Sequence, residues 1–385
     1  MNRPYQQRPF VSDMATMWPH MLLPRIRPAT MAYPFKDPGV RYYYYARNAI
    51  YAMARLWNLT GQEVLFPAYC HGVELAALLA VGVVPRFYPV CDRMGVELAD
   101  IVMRIRPQTR AVYLIHYLGF PGPVEELSKT CRERNIFLIE DCALALFSSR
   151  GNTPLGSFGD AAVFCIYKTL PVPHGGALVL RHGEPSDLPK TRGPSPSSTF
   201  GHVAYLLDRN FKLRGKSWPR LLLKAARALA KPVAQRVGGQ VVLMGVPHFD
   251  PAHADLAMSR FCRLVLAAQD FPSIVEKRRR NYLHLLDRLR KISPPVFDEL
   301  PPGVCPLFYT FQTQAREAVV EQLLARGVEA GCFWSYQHPT LPPGTFPEAD
   351  KLRRTVVSLP CHQDLTPELM DWVADQVCEV MREFH

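Results

Sequence analysis

The feature that most constrains the fold is an alternation of helix-like and strand-like segments between residues 47 and 181. Apolar residues recur at helical spacing in three segments, 47–59, 72–82 and 123–135. Short apolar runs typical of strands occupy 63–69, 83–90, 111–120, 136–141, 161–167 and 176–181. Strands that alternate with helices are usually joined in parallel, so the sequence predicts an α/β fold with a mainly parallel sheet flanked by helices.

The chain divides into three predicted parts. Residues 1–42 are rich in Pro, Met and Arg and predict an irregular N-terminal arm. A large domain is predicted over 43–260, and an insertion at about 185–248 interrupts its alternation of helices and strands. Residues 261–385 predict a smaller C-terminal α/β domain, whose last helix should start near Pro367 with Thr366 as its N-cap.

The insertion joins a Ser- and Pro-rich stretch, expected to be a flexible loop, to a basic helix over 219–236. The apolar positions of this helix are Leu221, Leu222, Leu223, Leu229 and Val233, and its basic positions are Arg220, Lys224, Arg227, Lys231 and Arg236. Pro232 should end or kink it near Ala230. The helix could pack on the domain, or it could make a weak peripheral contact with an anionic membrane surface.

Charge and cysteine usage narrow the class of protein. The net charge of +11 suits anionic partners such as nucleotides or phosphates, although a generally basic surface explains it equally well. Basic and aromatic residues do not interleave on one element, so we expect no nucleic-acid partner. The ten cysteines occur singly, which indicates neither a metal site nor a disulfide framework. Without a signal-like or membrane-spanning apolar run, a reducing cytoplasm is the expected location.

Polar residues lie at the ends of several predicted strands. His71 follows one strand and His116 lies within another, while Asp141 and Lys168 each close a strand. Each alone could be an ordinary solvated strand end. Because ligands of parallel sheets bind beyond the carboxyl ends of the strands, we expect these side chains to border one cleft.

Asp141 and Lys168 together meet the needs of an aldehyde cofactor with a pyridine ring. A lysine amine forms a Schiff base with the aldehyde, and a carboxylate keeps the ring nitrogen protonated. The start of the helix at Ala46, Arg47 and Asn48 could bind a phosphate group through its backbone N–H groups, with charge added by Arg47. His71 could stack its flat side chain on the ring.

The order of these segments resembles the DegT/DnrJ/EryC1/StrS family of pyridoxal-phosphate-dependent sugar aminotransferases, which have the fold-type-I aminotransferase architecture. The resemblance runs from about residue 40 to the C-terminus and leaves 185–248 unmatched. It is carried by four blocks, "GQEVLFPAYCHGVELAALLAVGVVPRFYPV", "IHYLGFPGPVEELSKTCRERNIFLIEDCALA", "GSFGDAAVFCIYK" and "FPEADKLRRTVVSLPCHQDLTPE".

The resemblance implies that Lys168 is the Schiff-base lysine, that Asp141 binds the pyridine nitrogen and that His71 stacks on the ring. It also implies a homodimer, with the cofactor pyridoxal 5'-phosphate. Some positions depart from the family: Leu144 replaces a Gln or His, and Cys165 replaces a Ser that contacts the phosphate. The segment before Lys168 is about two residues shorter than is usual in the family. In the phosphate loop, "ARN" replaces the family's Gly-Thr-Ala.

The leading hypothesis is an aminotransferase that moves an amino group from an amino acid, with glutamate as the expected donor, to a keto group of a nucleotide-linked sugar. Polysaccharide or natural-product biosynthesis is the expected setting. A sugar dehydratase of the same fold is disfavoured, because that branch carries His at the position of Lys168. Two alternatives stay open, a catalytically divergent regulatory or scaffolding protein and an aminotransferase acting on a non-sugar ketone.

Overall fold

The N-terminal half of the chain builds the sheet that positions the site. A computed structural model describes residues 9–23, 31–236, 242 and 245–384. Its strands up to residue 180 are β1 (Arg41–Tyr43), β2 (Glu63–Pro67), β3 (Val84–Tyr88), β4 (Thr109–Ile115), β5 (Phe137–Asp141), β6 (Ser149–Arg150), β7 (Thr153–Pro154), β8 (Ala161–Cys165) and β9 (Gly176–Leu180). The helices between them are α1 (Ala46–Leu56), α2 (Val73–Leu79), α3 (Leu98–Val102), α4 (Val124–Glu133) and α5 (Ile166–Thr169).

Seven of these strands form one sheet in the order β1-β9-β8-β5-β4-β2-β3. Strands β3, β2, β4, β5 and β8 are mutually parallel. Strand β9 runs antiparallel to both of its neighbours, β8 and the edge strand β1. Every residue of β8 and β9 is buried, as expected for strands covered on both faces. The predicted mainly parallel α/β sheet is confirmed.

The N-terminus of α1 lies directly over β9. Strand β1 ends at Tyr43, and Tyr45 is still extended before the helix begins at Ala46. A Cβ atom at Gly176 would lie only 2.4 Å from the backbone nitrogen of Ala46, so β9 can pass this closely only with glycine at that position. This contact fixes the positive end of α1 beside the carboxyl end of β8.

The strand predicted over 161–167 is shorter than expected. It ends at Cys165, and the next four residues form the single helical turn α5, in which the N–H of Leu170 donates to the carbonyl of Ile166 at 2.9 Å. Lys168 therefore lies on a helical turn and does not close the strand. An apolar run is compatible with both structures, and the chain must turn here to return antiparallel as β9.

The remaining elements form the insertion and the C-terminal unit. The helices are α6 (Pro196–Leu213), α7 (Ser217–Arg236), α8 (Arg260–Ala267), α9 (Phe271–Leu289), α10 (Arg316–Ala325), α11 (Pro347–Thr355) and α12 (Pro367–Arg382). The strands β10 (Phe308–Gln312), β11 (Gly331–Cys332) and β12 (Val356–Pro360) form an antiparallel sheet in the order β10-β12-β11. The Thr366 side chain accepts from the N–H of Leu369 at 3.4 Å, which confirms the predicted N-cap of α12.

The insertion is more regular than expected. The Ser- and Pro-rich stretch predicted as a loop already contains the first turn of α6, because Ser195 caps it and Pro196 suits the first helical turn. Pro232 does not end α7, which continues to Arg236. A proline removes one backbone hydrogen bond, and the turns on either side can persist. The side chains of Arg227, Leu229, Lys231, Val233 and Arg236 lie outside what the structure describes.

The described part of the N-terminal arm is held against the C-terminal unit. Val11 exchanges backbone hydrogen bonds of 2.9 Å with Gly327 and Glu329, and the N–H of Thr16 donates to Asp364 at 2.7 Å. Residues 9–23 contain a short 3-10 turn over Pro19–Leu22 and a bridge at Val11, and they are otherwise irregular. Among the described residues, no helix combines the length and apolarity needed to cross a bilayer.

Candidate active site

A cavity of about 50 Å³, here called the inner cavity, lies beyond the carboxyl ends of β2, β5 and β8. The structure brings six of the seven residues proposed from the sequence to its walls: Ala46, Arg47, His71, Asp141, Cys165 and Lys168. Because these residues come from four separate segments, the parallel sheet assembles the site.

Asp141 is the last residue of β5 and is 5% exposed. Its Oδ2 accepts from the hydroxyl of Tyr113 at 2.7 Å, and its Oδ1 accepts from the N–H of Ala143 at 2.8 Å. Burial raises the pKa of Asp141, whereas these two hydrogen bonds and the charge of Lys168 oppose that increase. The carboxylate is thereby held in one orientation, with hydrogen bonds that favour its charged form.

His71 follows β2 and forms another wall. Burial, assisted by the charges of Lys168 and Arg47, lowers its pKa to about 4, so the imidazole is neutral near pH 7. Its Nδ1 is buried without a hydrogen-bond partner among the described residues. The ring of Trp334 meets the imidazole edge-on, with the centroids 6.2 Å apart. His71 therefore presents a flat, uncharged ring to the cavity.

Cys165 and the start of α1 lie on the side of the cavity near β8. Burial raises the pKa of the Cys165 thiol, so this group is uncharged near neutrality. The guanidinium of Arg47 lies 4.4 Å from the ring centroid of Tyr45, and its Nη1 donates to the carbonyl of Val246 at 3.4 Å. The positive end of α1 and the Arg47 cation together favour an anionic group here.

Asn48 is the proposed residue that the structure does not bring to the inner cavity. Its buried side chain donates to the carbonyls of His253 and Ala254, the latter at 3.2 Å. The side chain thus holds a neighbouring loop, and its N–H is already bonded to the carbonyl of Tyr45 at 3.1 Å. The structure therefore does not bring Asn48 to the wall of the inner cavity, and its predicted contribution to phosphate binding stays a prediction.

Sequence reasoning missed Glu74, which also lines the inner cavity and is 5% exposed. Its Oε1 accepts from the N–H of His71 at 2.8 Å. Burial, and then the negative charge of Asp141, raise the pKa of Glu74 to about 7. A lone acidic residue in the otherwise apolar segment 72–82 was the available signal, but it also suits an ordinary first helical turn.

Tyr113 and Trp334 were missed for a different reason. Tyr113 lies in the middle of β4, where its place in an apolar run predicts only that it is a core residue. Trp334 comes from the C-terminal unit and adopts a left-handed backbone with φ of 44°, a conformation that a bulky residue rarely takes. No local pattern links either residue to Asp141 or His71, because only the tertiary fold brings them together.

A second cavity of about 330 Å³, here called the outer cavity, adjoins the inner one. Four residues border both cavities: His71, Leu144, Lys168 and Trp334. The other walls of the outer cavity are largely apolar and include Met14, Pro247, Phe308 and Phe333, with Asp13, Ser335 and Ser358 among the polar groups. Lys168 therefore borders both the inner and the outer cavity.

His116 belongs to a separate buried cluster. Its Nε2 lies 3.1 Å from Glu140, and its Nδ1 accepts from the N–H of Gly122 at 3.1 Å. Burial alone would raise the pKa of Glu140, but His116 and the backbone N–H groups of Gly159 and Gly156 lower it. The N–H of Phe158 also donates to this carboxylate, at 2.8 Å. Cys142 lies within metal-binding distance of this pair, yet both partners are already hydrogen bonded. The cluster holds the loop before β8 in place.

Comparisons with known proteins agree with this geometry. The profile of the DegT/DnrJ/EryC1/StrS aminotransferase family matches residues 48–189, which include His71, Asp141 and Lys168. The dTDP-4-dehydro-2,3,6-trideoxy-D-glucose 4-aminotransferase of Saccharopolyspora spinosa is 26% identical over 329 residues, 82% of this chain and 77% of that enzyme. The GDP-perosamine synthase of Vibrio cholerae is 29% identical over 131 residues, 33% of this chain and 36% of that enzyme.

The crystal structure of the aminotransferase TlmJ from Streptoalloteichus hindustanus has the same fold. The two structures superpose with a TM-score of 0.63 at 22% sequence identity, over 90% of this chain and 86% of the other. At this identity the similarity establishes the architecture. The profile match over residues 48–189 makes this part of the chain, which contains His71, Asp141 and Lys168, similar to the DegT/DnrJ/EryC1/StrS aminotransferase family.

Proposed function

We propose that this protein is a pyridoxal-phosphate-dependent aminotransferase that moves an amino group from an amino acid, with glutamate as the donor, to a keto group of a nucleotide-linked sugar. The observation that carries the proposal is the convergence of Asp141 and Lys168 on one buried cavity. Relatives named for nucleotide-linked sugars, including the Saccharopolyspora spinosa enzyme, support the substrate class.

The functional groups around the inner cavity match the chemical needs of pyridoxal 5'-phosphate. Lys168 supplies the amine, Asp141 a buried carboxylate, His71 a neutral ring with an unpartnered nitrogen, and the start of α1 an anion site. When bound, this cofactor supplies an electron sink for the carbon that gains or loses nitrogen. Asp141 would hold the pyridine nitrogen, and His71 would cover one face of the ring.

The residues of the chain would divide the chemistry as follows. Lys168 Nζ removes the proton from the carbon that bears the donor's amino group and later delivers a proton to the carbon that receives nitrogen. The Asp141 carboxylate, oriented by Tyr113 and by the N–H of Ala143, supplies negative charge opposite the ring nitrogen. His71 and Trp334 exclude water from their side of the cavity.

A catalytically divergent, cofactor-binding regulatory protein is the second candidate. It is favoured by the apolar side chain of Leu144, which is 2% exposed in the inner cavity, and by the uncharged thiol of Cys165. These residues stand where the family has polar groups. Such a protein would bind the cofactor through Lys168 and would not complete even the first half of amino transfer with an amino acid.

The acceptor could also be a non-sugar ketone, because much of the outer cavity wall is apolar. The test is a panel of dTDP-, UDP- and GDP-linked keto-sugars beside cyclitol and small ketones, with glutamate as donor and 2-oxoglutarate release as readout. The Lys168→Ala variant serves as the blank. Turnover with a nucleotide keto-sugar supports the proposal. Turnover with non-sugar ketones alone would identify the acceptor as a non-sugar ketone. Release no faster than the blank with every acceptor contradicts it.

We also infer a homodimer in the cytoplasm. The homodimer is inferred from the resemblance, because the family builds each site at a subunit boundary. All ten cysteines are free thiols, and seven of them are buried, a pattern that suits a reducing compartment.

A further inference from the structure

Helix α7 exposes a compact group of large apolar side chains. Trp218, Leu221 and Leu222 are 68%, 69% and 60% exposed, and their spacing of three and four residues places them on one side of the helix. We call these three residues the α7 apolar face. Single exposed apolar residues are common on proteins, but a contiguous group of this kind indicates a contact surface.

The opposite side of α7 already anchors the helix. Leu223 is partly buried and packs against the core, while Arg220 Nε donates to Asp208 of α6 at 3.0 Å. Leu223 therefore does not share a face with its two neighbours, contrary to the expectation from the sequence. Within the part of the chain that the structure describes, the α7 apolar face stays mostly exposed.

The segment that carries the α7 apolar face is strongly basic. Residues 214–236 contain seven Lys or Arg residues and no Asp or Glu. Lys216 and Lys224, which precede and follow the apolar group in the sequence, are exposed, whereas Arg220 is paired with Asp208 and Arg214 lies against the ring of Trp18. A second copy of the chain, docked on the same face about a twofold axis, would bring like charges together. An anionic bilayer would complement both the charge and the apolar group.

We propose that the α7 apolar face, together with Lys216 and Lys224, is a docking surface for an anionic membrane. Trp218, Leu221 and Leu222 insert at the boundary between headgroups and acyl chains, and the two lysines contact lipid phosphates. One short helix buries too little to hold the protein irreversibly, so the contact is peripheral and sensitive to salt. This proposal is independent of the enzymatic one.

The test is flotation of the full chain with two kinds of vesicle, phosphatidylcholine alone and equal parts of phosphatidylcholine and phosphatidylglycerol. The wild type should float with the anionic vesicles at low salt, and floating should fall several-fold at high salt or with neutral vesicles. Trp218→Ser with Leu221→Ser and Leu222→Ser should reduce the floated fraction several-fold, and so should Lys216→Glu with Lys224→Glu. Met103→Ser with Leu324→Ser removes exposed apolar residues elsewhere and should change nothing.

Three results would overturn the proposal. The first is a wild type that stays at the bottom of the gradient with anionic vesicles at low salt. The second is a triple-serine or double-glutamate variant that floats as well as the wild type. The third is a fall in molar mass, seen by light scattering without vesicles, when the α7 apolar face is replaced, since this would identify the face as an interface between copies. Circular dichroism melts identify any variant that fails to fold, and Leu222→Ser alone then serves as a milder substitute.

Discussion

Lys168 is the residue on which the proposed chemistry depends most directly. Lys168→Ala removes the amine of the inner cavity, so we expect loss of the Schiff-base absorbance of the bound cofactor and a loss of turnover of about 10³-fold or more. Absorbance spectra and 2-oxoglutarate release measure the two effects. Lys190→Ala, at an exposed lysine, is the matched control and should behave like the wild type. A Schiff-base band that persists without Lys168 would show that another residue carries the cofactor.

The hydrogen bond from Tyr113 to Asp141 predicts a change in pH dependence. This bond lowers the pKa of Asp141 against the effect of burial, so Tyr113→Phe should raise that pKa further. The carboxylate then becomes protonated at a higher pH, and the acid limb of the kcat profile should move upward. Asp141→Asn removes the charge entirely and should reduce kcat far more than it changes KM. Steady-state kinetics across pH test both variants, and an unshifted acid limb in Tyr113→Phe would contradict the assigned role of Tyr113.

Glu74 predicts a pH effect on stability in protein freed of its cofactor. Its pKa in the folded chain, about 7, lies above the ordinary value of 4.5, so the folded state binds more protons than the unfolded state between these values. The free energy of unfolding should therefore fall as pH rises from about 4.5 to 7, by at most about 3 kcal/mol. Glu74→Gln should flatten this decline, whereas Glu299→Gln, at an exposed position, should not. Urea denaturation at several pH values measures the free energy of unfolding. If its decline with pH were the same in the wild type and in Glu74→Gln, the raised pKa of Glu74 would be refuted.

Among the secondary-structure elements, the contact between β9 and α1 makes the sharpest prediction. Gly176→Ala places a Cβ 2.4 Å from the backbone of Ala46, so α1 must move away from β9. We expect a loss of stability of about 1–3 kcal/mol and weaker cofactor binding, because the helix end that faces the phosphate shifts. Gly193→Ala meets no atom within 4 Å and is the matched control. Stability is measured by urea denaturation and cofactor binding by absorbance titration. If Gly176→Ala matched the wild type in both measurements, as Gly193→Ala should, the prediction would be wrong.

The elements also show where sequence reasoning succeeds and where it stops. The apolar runs predicted β2, β3, β4, β5, β8 and β9, since strands inside a covered sheet are rich in apolar residues. They did not predict β1 (Arg41–Tyr43), which begins within the segment expected to be an irregular arm. The same pattern could not place the end of β8, because Ile166 and Tyr167 satisfy a strand and a helical turn equally well. Asp141 and Lys168 were found because strand ends converge on one edge, whereas Trp334 and Tyr113 reach the site through tertiary contacts that leave no local signal.

For the whole molecule, we expect a homodimer with a molar mass of about twice 43.6 kDa. Light scattering coupled to size exclusion, run with and without cofactor, measures this directly. The fraction should be assayed as it elutes, because activity must travel with the dimer if each site lies at the subunit boundary. An active species of 43.6 kDa would disprove the expectation.

The whole assembly also constrains how sites are shared between subunits. Asp141 and Lys168 line the same cavity of a single chain, so each subunit supplies both of its own key residues. Mixing Lys168→Ala with Asp141→Asn under conditions that exchange subunits should therefore restore no activity, because every site in a mixed dimer lacks one of the two groups. A mixture of wild type and Lys168→Ala should retain activity in proportion to the wild-type chains. Recovery of activity in the first mixture would place the two residues in one site across the subunit boundary, which the geometry of the inner cavity opposes.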